Sequence, residues 1–292
     1  MSGSYLRPSD MDRAIAALAE QTRVVLAGGT DFYPARVGQP LDEHVLDIGA
    51  LRELRTIDDT HDCVRMGALA TWSDLIRADL PPAFDGYKLA ARAIGGVQTQ
   101  NAGTLVGNLC NASPAADGTP NLLALDARVE LRSRRGTREL AVTEFVLGNR
   151  RTARRHDEIV TALLVPKLPA RARGHFLKLG ARKYLVISIA MIAVVLVPDS
   201  VDSVADARVA VGACSTVPMR LPQLERDLVG RPLDGRLGQV AAATHLEALE
   251  PIDDVRGTAA FRRDAALTLV RRAISQTAQH YVVQPAPGRP PE

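Results

Sequence analysis

Apolar residues occur along the chain in two recurring patterns. Short runs of β-branched and aliphatic residues bounded by turn residues are typical of buried strands. Apolar residues at helical spacing are typical of helices that pack on one face. The first pattern predicts strands at 24–27, 45–48, 63–67, 128–132 and 158–165. The second predicts helices near 72–78, 83–94, 119–126 and 258–275.

Start signals and proline residues divide the chain into parts. The capping-box pattern at Ser9–Asp12 predicts a first helix with Ile15, Leu18 and Ala19 facing inward. This helix and the first two strands make a small βαβ-like lobe that ends near residue 55. A second lobe follows, and we expect a ligand crevice between the two.

A smaller domain is predicted after the second lobe. Pro166 and Pro169 mark the boundary. Two or three strands and the final helix then make a separate α+β domain over 170–283. The segment 284–292, rich in proline and glycine, is predicted to be disordered.

Composition excludes several classes of protein. A chain of 292 residues that is 46% hydrophobic can form two domains with cores of their own. A formal net charge of +3 gives no nucleic-acid footprint. Two arginine clusters are the exceptions, and exposed faces or subunit contacts explain them better than a DNA site. They comprise Arg132, Arg134, Arg135 and Arg138, and Arg150, Arg151, Arg154 and Arg155.

Cysteine and histidine usage favours neither a metal site nor a disulfide framework. Cys63, Cys110 and Cys214 are widely spaced and odd in number, which indicates a reducing compartment, the cytoplasm. The six histidines show no HxxxH spacing. No segment resembles a signal peptide. The apolar run 184–197 is shorter than the roughly 20 residues of a membrane-spanning helix, so we expect no span.

The segment 101–117 is the strongest candidate for chemistry. Gly103 and Gly107 allow close backbone approach and positive φ, so their N–H groups can point at phosphate oxygens. Asp117 can accept hydrogen bonds from the hydroxyls of a ribose or ribityl chain. An ordinary polar connection is the alternative. The short polar residues of the segment are Asn101, Thr104, Asn108, Asn111 and Ser113.

A second glycine segment follows the strand at 24–27. Gly28 and Gly29 lead to Thr30 and Asp31 in helix-start positions. A strand, a glycine turn and a helix N-terminus together form an anion site. The segment matches neither GxGxxG nor the P-loop pattern. A tight strand-to-helix turn without a ligand is the alternative.

Together these segments resemble the FAD-binding (medium) subunits of the molybdenum hydroxylases, the xanthine dehydrogenase and aerobic carbon monoxide dehydrogenase group. The resemblance covers nearly the whole chain. It rests on Ala-Gly-Gly-Thr-Asp at 27–31, the run from Gly103 to Asp117, the helix with 122–127, and Ile252–Thr258 with Phe261-Arg262-Arg263. It implies an α+β (mixed α/β) fold, with a two-lobed FAD-binding domain of the PCMH type over 1–167 and a C-terminal domain with an antiparallel sheet and helices.

The resemblance implies non-covalently bound FAD. The glycine loops clamp its pyrophosphate, Asp117 reaches the ribityl or ribose hydroxyls, and Lys178 lies near the isoalloxazine ring. For Lys178 a solvated strand lysine is the alternative. Backbone near Val160 lies beside the pyrimidine edge of the flavin. The expected cofactor-binding residues are Ala27, Gly28, Gly29, Thr30, Asp31, Phe32, Asn101, Thr104, Gly107, Asn108, Ser113, Asp117, Val160 and Lys178.

The sequence departs from the family pattern in the second loop and beyond it. Val106 stands where a glycine is common, and a β-branched residue disfavours positive φ. Either that peptide keeps an ordinary conformation or the loop is re-routed. Thr99-Gln100-Asn101 replaces Ile-Arg-Asn, and Val186-Ile187-Ser188 lies where an aspartate is frequent.

Electron transfer is the function that the resemblance implies. Electrons pass from 2Fe-2S centres of a small subunit through FAD to an external acceptor, while a large molybdopterin subunit hydroxylates the substrate, all in a dimer of heterotrimers. No catalytic side chain is expected on this chain, because the flavin carries the reaction. A self-contained flavin oxidase and a nucleotide-binding regulatory module without redox activity are the alternatives.

Overall fold

A computed structural model describes residues 3–283 of the chain. These residues form two compact units that are each assembled from separate stretches of sequence. The first unit takes in residues up to 78, 94–113 and 126–167. The second takes in 79–93, 114–125 and the residues from 168 onward. The predicted disordered tail at 284–292 lies outside the described residues.

The elements alternate along the chain. The strands are β1 (Tyr5–Leu6), β2 (Val24–Leu26), β3 (Val45–Asp47), β4 (Ile57–Asp59), β5 (Cys63–Gly67), β6 (Arg128–Ser133), β7 (Gly136–Ala141), β8 (Val146–Gly148), β9 (Arg151–Thr152), β10 (Ile159–Pro166), β11 (Arg173–Leu179), β12 (Ala190–Pro198), β13 (Val204–Gly212) and β14 (Met219–Arg220). The α-helices are α1 (Met11–Glu20), α2 (Trp72–Arg77), α3 (Asp85–Ala93), α4 (Val97–Ala102), α5 (Leu105–Cys110), α6 (Gly118–Ala124), α7 (Val142–Phe145), α8 (Pro222–Leu228) and α9 (Ala259–Val283). Single 3₁₀ turns lie at Pro34–Arg36, Arg52–Leu54, Pro82–Phe84, Leu237–Val240 and Ala243–Leu246.

The first unit begins with a small parallel sheet in the order β1-β3-β2. Helix α1 packs on it, and the Asp10 side chain caps this helix by accepting from the Arg13 N–H at 2.9 Å. Ile15 and Leu18 are buried as expected, but Ala19 is exposed. The inward-facing alanines are Ala14 and Ala17, which share the face of Ile15 and Leu18 at i±3 spacing.

A five-stranded antiparallel sheet, in the order β4-β5-β10-β6-β7, makes the rest of the first unit's framework. Its centre is β10, whose apolar residues are almost completely buried. The pairing of β10 with β6 shifts register between Val160 and Ala162. Such a bulge bends a strand and re-aims its side chains. In this strand it lies beside the candidate site.

The second unit is built on an antiparallel sheet in the order β11-β12-β13-β14, one strand more than the sequence predicts. All nine residues of β12 are buried. Alternate residues from Ala190 to Leu196 pack in one core with α9, while Met191 on the other face lies near Pro120 of α6. A strand covered on both faces reads as a continuous apolar run. This burial accounts for the second half of the run 184–197, whose first residues, including Tyr184 and Leu185, are exposed.

The helices that pack on the two faces of this sheet come from two separate stretches of the sequence. Helices α3 and α6 pack on β11, β12 and β13 within the second unit. The sequence predicts both helices as part of the first domain. Helix α9 covers the opposite face and extends eight residues beyond the predicted end at 275. No helix in the described part of the chain has the length and apolar composition that crossing a membrane requires.

Candidate functional site

The first glycine loop exposes a row of backbone donors. It follows β2, and the N–H groups from Gly28 to Phe32 donate no hydrogen bond to any described residue. Gly29 has φ +72°, a conformation that side chains rarely adopt. A Cβ on Gly28 would lie 2.0 Å from the Ala102 carbonyl oxygen. Both glycines are therefore required by the backbone path that leaves these five donors free.

This loop does not continue into the α-helix expected at Thr30 and Asp31. Turns follow it, and then the single 3₁₀ turn Pro34–Arg36. Three residues add almost nothing to a helix dipole, which grows with aligned peptides. The capacity of this loop to bind an anion therefore comes from its row of N–H groups, which is the arrangement of a backbone nest.

The second glycine loop contains a helix instead of an open loop. Helix α5 begins after Thr104, whose side chain accepts from the Gly107 N–H at 2.9 Å and whose carbonyl accepts from the Asn108 N–H at 3.0 Å. Neither Gly103 nor Gly107 has positive φ. The expectation that their N–H groups face a phosphate is wrong for both glycines. The Gly107 N–H is occupied by the cap, and the Gly103 N–H donates to the Thr99 carbonyl at 2.7 Å. What this loop offers instead is the Thr104 hydroxyl hydrogen and the Asn108 side chain.

Val106 keeps an ordinary backbone. It lies inside α5, its φ is not positive, and the residue is 4% exposed. The helical path removes the conflict between a β-branched residue and a glycine-like conformation. Val106 instead contributes an apolar wall to a cavity.

Two cavities lie within the first unit. One, of about 590 Å³, is lined by both glycine loops and is the more polar of the two, so we call it the polar cavity. The other, of about 530 Å³, is mainly apolar and is lined by valines, alanines and Ile48. They share Val24, Val25, Ala27, Gly107 and Cys110. A ligand that joins a polar group to an apolar ring can therefore occupy both cavities.

The polar cavity brings together most of the predicted cofactor-binding residues. Val160 lines the apolar cavity, beside the bulge in β10. Asn101 does not line either cavity and accepts a 2.6 Å hydrogen bond from Ser73 Oγ. Ser113 also lies outside both linings. The predicted residues that line the polar cavity are Ala27, Gly28, Gly29, Thr30, Asp31, Phe32, Thr104, Gly107 and Asn108.

Asp117 and Lys178 both belong to the second unit and pair with each other. Lys178 Nζ donates to Asp117 Oδ2 at 2.6 Å, and both side chains are about nine-tenths buried. The ammonium also lies 3.4 Å from the Ala93 carbonyl and 3.3 Å from that of Val186, while Ser188 Oγ donates to Asp117 Oδ1 at 2.5 Å. Burial raises the pKa of Asp117, against the opposing effects of Lys178 and Ser188. Lys178 is therefore not the solvated strand lysine that was the alternative.

Arginines complete the walls, and sequence reasoning missed them. Arg150 Nη1 donates to Asp31 Oδ2 at 2.6 Å and also to Asn111 Oδ1, so it ties the two glycine loops together. Its own backbone has φ +58° and donates to the Ala112 carbonyl at 3.0 Å. Arg154 lines the apolar cavity. The cluster 150–155 is thus not merely an exposed face, but nothing in its run of basic residues distinguishes these two.

Two other ionisable groups of the cavity walls, Glu43 and Cys110, are not available as nucleophiles. Arg36 donates to both carboxylate oxygens of Glu43, at 2.5 and 2.9 Å, and this hydrogen bonding lowers the pKa of Glu43. Burial raises the pKa of the Cys110 thiol to about 12, so it is not a thiolate at neutral pH. Neither group offers nucleophilic chemistry. No cluster of three or more metal-ligating side chains occurs in the described residues.

Comparison with known proteins places this geometry in a family. A family model described as the FAD binding domain in molybdopterin dehydrogenase matches residues 1–168, and one described as the CO dehydrogenase flavoprotein C-terminal domain matches residues 175–277. The chain belongs to the FAD-binding medium subunits of the molybdenum hydroxylases. The fold class that the sequence predicted is confirmed, and FAD is the cofactor of the family.

Relatives of this flavin subunit match it along most of its length. The glyceraldehyde dehydrogenase medium chain of Sulfolobus acidocaldarius is 30% identical over 283 residues, which is 94% of this chain and 98% of the relative. The nicotinate dehydrogenase FAD-subunit of Eubacterium barkeri is 33% identical, over 78% of this chain and 80% of the relative. In a solved structure of carbon monoxide dehydrogenase from Hydrogenophaga pseudoflava, one chain superposes with a TM-score of 0.86 at 27% identity, over 96% of this chain and 98% of that one.

The residues of the flavin subunit fit the cofactor. FAD requires donors for a pyrophosphate and an apolar recess for a ring, and the first unit supplies both in cavities that share five residues. The free N–H row at 28–32 is the observation that matches the phosphate. The relatives are named as medium chains or FAD-binding subunits of dehydrogenases, so this chain is an oxidoreductase subunit of the same class.

Proposed function

We propose that this chain is the electron-transfer subunit of a molybdenum hydroxylase complex, passing electrons from 2Fe-2S centres of a partner subunit through FAD to an external acceptor. The observation that carries the proposal is the row of five free N–H groups that opens into a polar and then an apolar cavity. FAD, when bound, supplies the redox chemistry, because the flavin exchanges electrons with both one- and two-electron partners. The protein supplies binding and orientation.

The first glycine loop binds the pyrophosphate in this proposal. N–H groups from Gly28 to Asp31 donate to phosphate oxygens, and Ala27 and Phe32 frame the loop. Thr104 and Asn108 donate from the other side with their side chains. The Asp31 carboxylate does not touch phosphate, because like charges repel, and its contribution is to hold Arg150.

A ring of FAD occupies the apolar cavity beside Val160. The family resemblance implies the pyrimidine edge of the flavin at this position. The shared lining of the two cavities favours the adenine ring instead, because a compact ribose joins adenine to the pyrophosphate, whereas an extended ribityl chain joins it to the flavin. Backbone near the bulge in β10 is then available to the edge of the ring.

Asp117 and Lys178 are proposed to act on the ribityl and isoalloxazine half of FAD, with Asn101 and Ser113 in supporting positions. The support for this part is the family resemblance. Lys178 has three acceptors within the second unit, so its contribution requires that one of the carbonyl contacts at 3.3 and 3.4 Å give way. Asp117 retains acceptor capacity beyond its two hydrogen bonds.

The proposed partners are a small 2Fe-2S subunit and a large molybdopterin subunit, arranged as a dimer of heterotrimers in the cytoplasm. The proposed sequence domains are 1–167, with lobes 1–55 and 56–167, and 170–283, although α3 and α6 from the first of them belong to the second compact unit. Three free cysteines in the described chain accord with a reducing compartment. The names of the relatives as medium chains support assembly with larger and smaller chains.

Flavin content tests the cofactor assignment first. The full-length chain, purified and incubated with FAD, is expected to retain flavin after gel filtration and to show a flavin absorption spectrum. A chain that retains no flavin contradicts the proposal, and preference for ATP over FAD points to a regulatory nucleotide module.

Co-purification with its partners tests the electron-transfer role. The isolated complex is expected to reduce its bound flavin when substrate is added, and a complex lacking the iron–sulfur subunit is not. Steady-state oxidation of an organic substrate by this chain alone contradicts the role and identifies a self-contained oxidase.

A further inference from the structure

Arg154 is one of the residues that line the apolar cavity, and two backbone carbonyls hold its guanidinium group. It lies between β9 and β10, and its Nη1 donates to the carbonyl oxygens of Arg155 at 3.1 Å and Glu158 at 2.7 Å. Its Nε and Nη2 have no partner within the described chain. Because the guanidinium is planar, two acceptors at one nitrogen restrict the whole group.

The charge of Arg154 is not neutralised by the carboxylates around it. Glu158 is buried and accepts from Arg138 Nε at 2.7 Å, from Arg138 Nη2 at 2.9 Å and from the Arg155 N–H at 2.8 Å. Glu43, at the edge of the same cavity, pairs with Arg36. Arg154 is therefore a cation that the fold positions without giving it an anion.

Two other polar residues of the cavity wall, Arg23 and His44, have side-chain partners. Arg23 Nη1 donates to Ser4 Oγ at 2.9 Å, and His44 Nδ1 lies 2.9 Å from the same oxygen. Most of the remaining wall is aliphatic. A flat aromatic ring would find apolar walls and two guanidinium groups, of which that of Arg23 is engaged by Ser4 and that of Arg154 only by backbone carbonyls at one nitrogen.

We propose that the Arg154 guanidinium stacks on the adenine ring of FAD and is a determinant of affinity for the ADP half of the cofactor. The inference rests on the proposed FAD function. A guanidinium lies favourably over the electron-rich face of a ring, and a preset plane loses little entropy when the ring arrives. Adenine is the ring in question because the apolar cavity shares its lining with the pyrophosphate loop.

Calorimetric titration of the flavin-free, full-length chain with FAD, ADP and inorganic pyrophosphate tests the stacking. ADP carries the adenine ring without the flavin, and pyrophosphate carries neither ring. The variants are Arg154→Lys, which keeps the charge and loses the plane, and Arg154→Gln, which keeps a donor for the Glu158 carbonyl. Arg151→Lys is the matched control, because Arg151 lies on β9, is exposed and lines neither cavity.

The expected result is a loss of affinity for FAD and ADP by the same factor, about 3- to 20-fold in Arg154→Lys, with pyrophosphate binding unchanged. Arg151→Lys leaves all three unchanged. Loss for FAD alone overturns the proposal, because the ring is then the flavin. Equal loss for all three ligands overturns it as a general structural effect, and no loss overturns it outright. If the unmodified chain binds neither FAD nor ADP, the proposed function itself fails.

Discussion

The two glycine loops have similar residues and opposite construction. Each contains glycine, threonine and one aspartate that pairs with a base at 2.6 Å. In the first loop the backbone donors are free and the Asp31–Arg150 pair is half exposed. In the second, backbone donors close a capped helix and the Asp117–Lys178 pair is buried. Residue composition alone therefore does not show whether the backbone N–H groups of a loop are free for a ligand or are used in a helix.

Burial is the first difference that mutation is expected to reveal. Asp117→Asn leaves a buried ammonium without its anion, so we expect a loss of about 3–5 kcal/mol in the free energy of unfolding. Asp31→Asn removes a half-exposed pair and is expected to cost about 1 kcal/mol or less. Urea unfolding of both variants at neutral pH measures the contrast. Equal costs would show that burial does not separate the two pairs.

Backbone access is the second difference. Gly28→Ala places a Cβ against the Ala102 carbonyl, and we expect the loop to move away to relieve this overpacking, which is worth about 1–3 kcal/mol. Because the loop must return to its present path to bind FAD, this cost lowers FAD affinity about 5- to 150-fold. Gly107→Ala crowds the Thr104 hydroxyl, but alanine is favoured over glycine in a helix by about 1 kcal/mol. We therefore expect FAD binding to fall less in Gly107→Ala than in Gly28→Ala. Equilibrium titration of both variants makes the comparison, and a greater loss in Gly107→Ala contradicts it.

Removing the N-cap of α5, in the second loop, is expected to have a smaller effect on stability. Thr104→Val removes the oxygen that accepts from the Gly107 N–H, which is expected to cost about 1 kcal/mol of stability. Thr104→Ser keeps the oxygen and serves as the control. Thermal unfolding of the flavin-free chain distinguishes them. An unchanged midpoint in Thr104→Val argues that α5 does not need its cap.

The tie between the two loops is expected to have the smallest effect. Asp31→Asn and Arg150→Gln both remove the half-exposed ion pair, and Arg150→Gln also removes the contact with Asn111, so each is expected to raise the Kd for FAD about 2- to 5-fold, with Arg150→Gln the larger. The double variant is expected to be no worse than Arg150→Gln alone. The effect diminishes at about 1 M salt, where the Debye length is about 3 Å. Additive losses at all salt concentrations would show that the two residues act separately.

Much of the framework could be predicted from the sequence. The strands around 63–67, 128–132 and 158–165 appear within a residue or two of their predicted bounds, because β-branched runs ended by turn residues carry a local signal. Helix α5 was not predicted. Its glycine and asparagine have low helix propensity, and only the cap at Thr104 compensates for them.

The part of the site that escaped prediction depends on contacts distant in sequence. Arg150 reaches Asp31 across 119 positions, and its neighbours Arg151 and Arg155 have the same local composition. The freedom of five successive N–H groups is likewise a property of the folded backbone. Sequence identified the glycines that permit it, but not the absence of a following helix.

The assembly of the second unit from separate stretches has a practical consequence for dissecting the protein. Residues 168–283 carry the whole four-stranded sheet, but α3 and α6, which cover one face of it, are encoded upstream at 85–93 and 118–124. A gene fragment that starts at 168 would therefore express β12 with one apolar face open to water. Such fragments tend to aggregate. The boundary between the two family signatures is thus a poor place to cut.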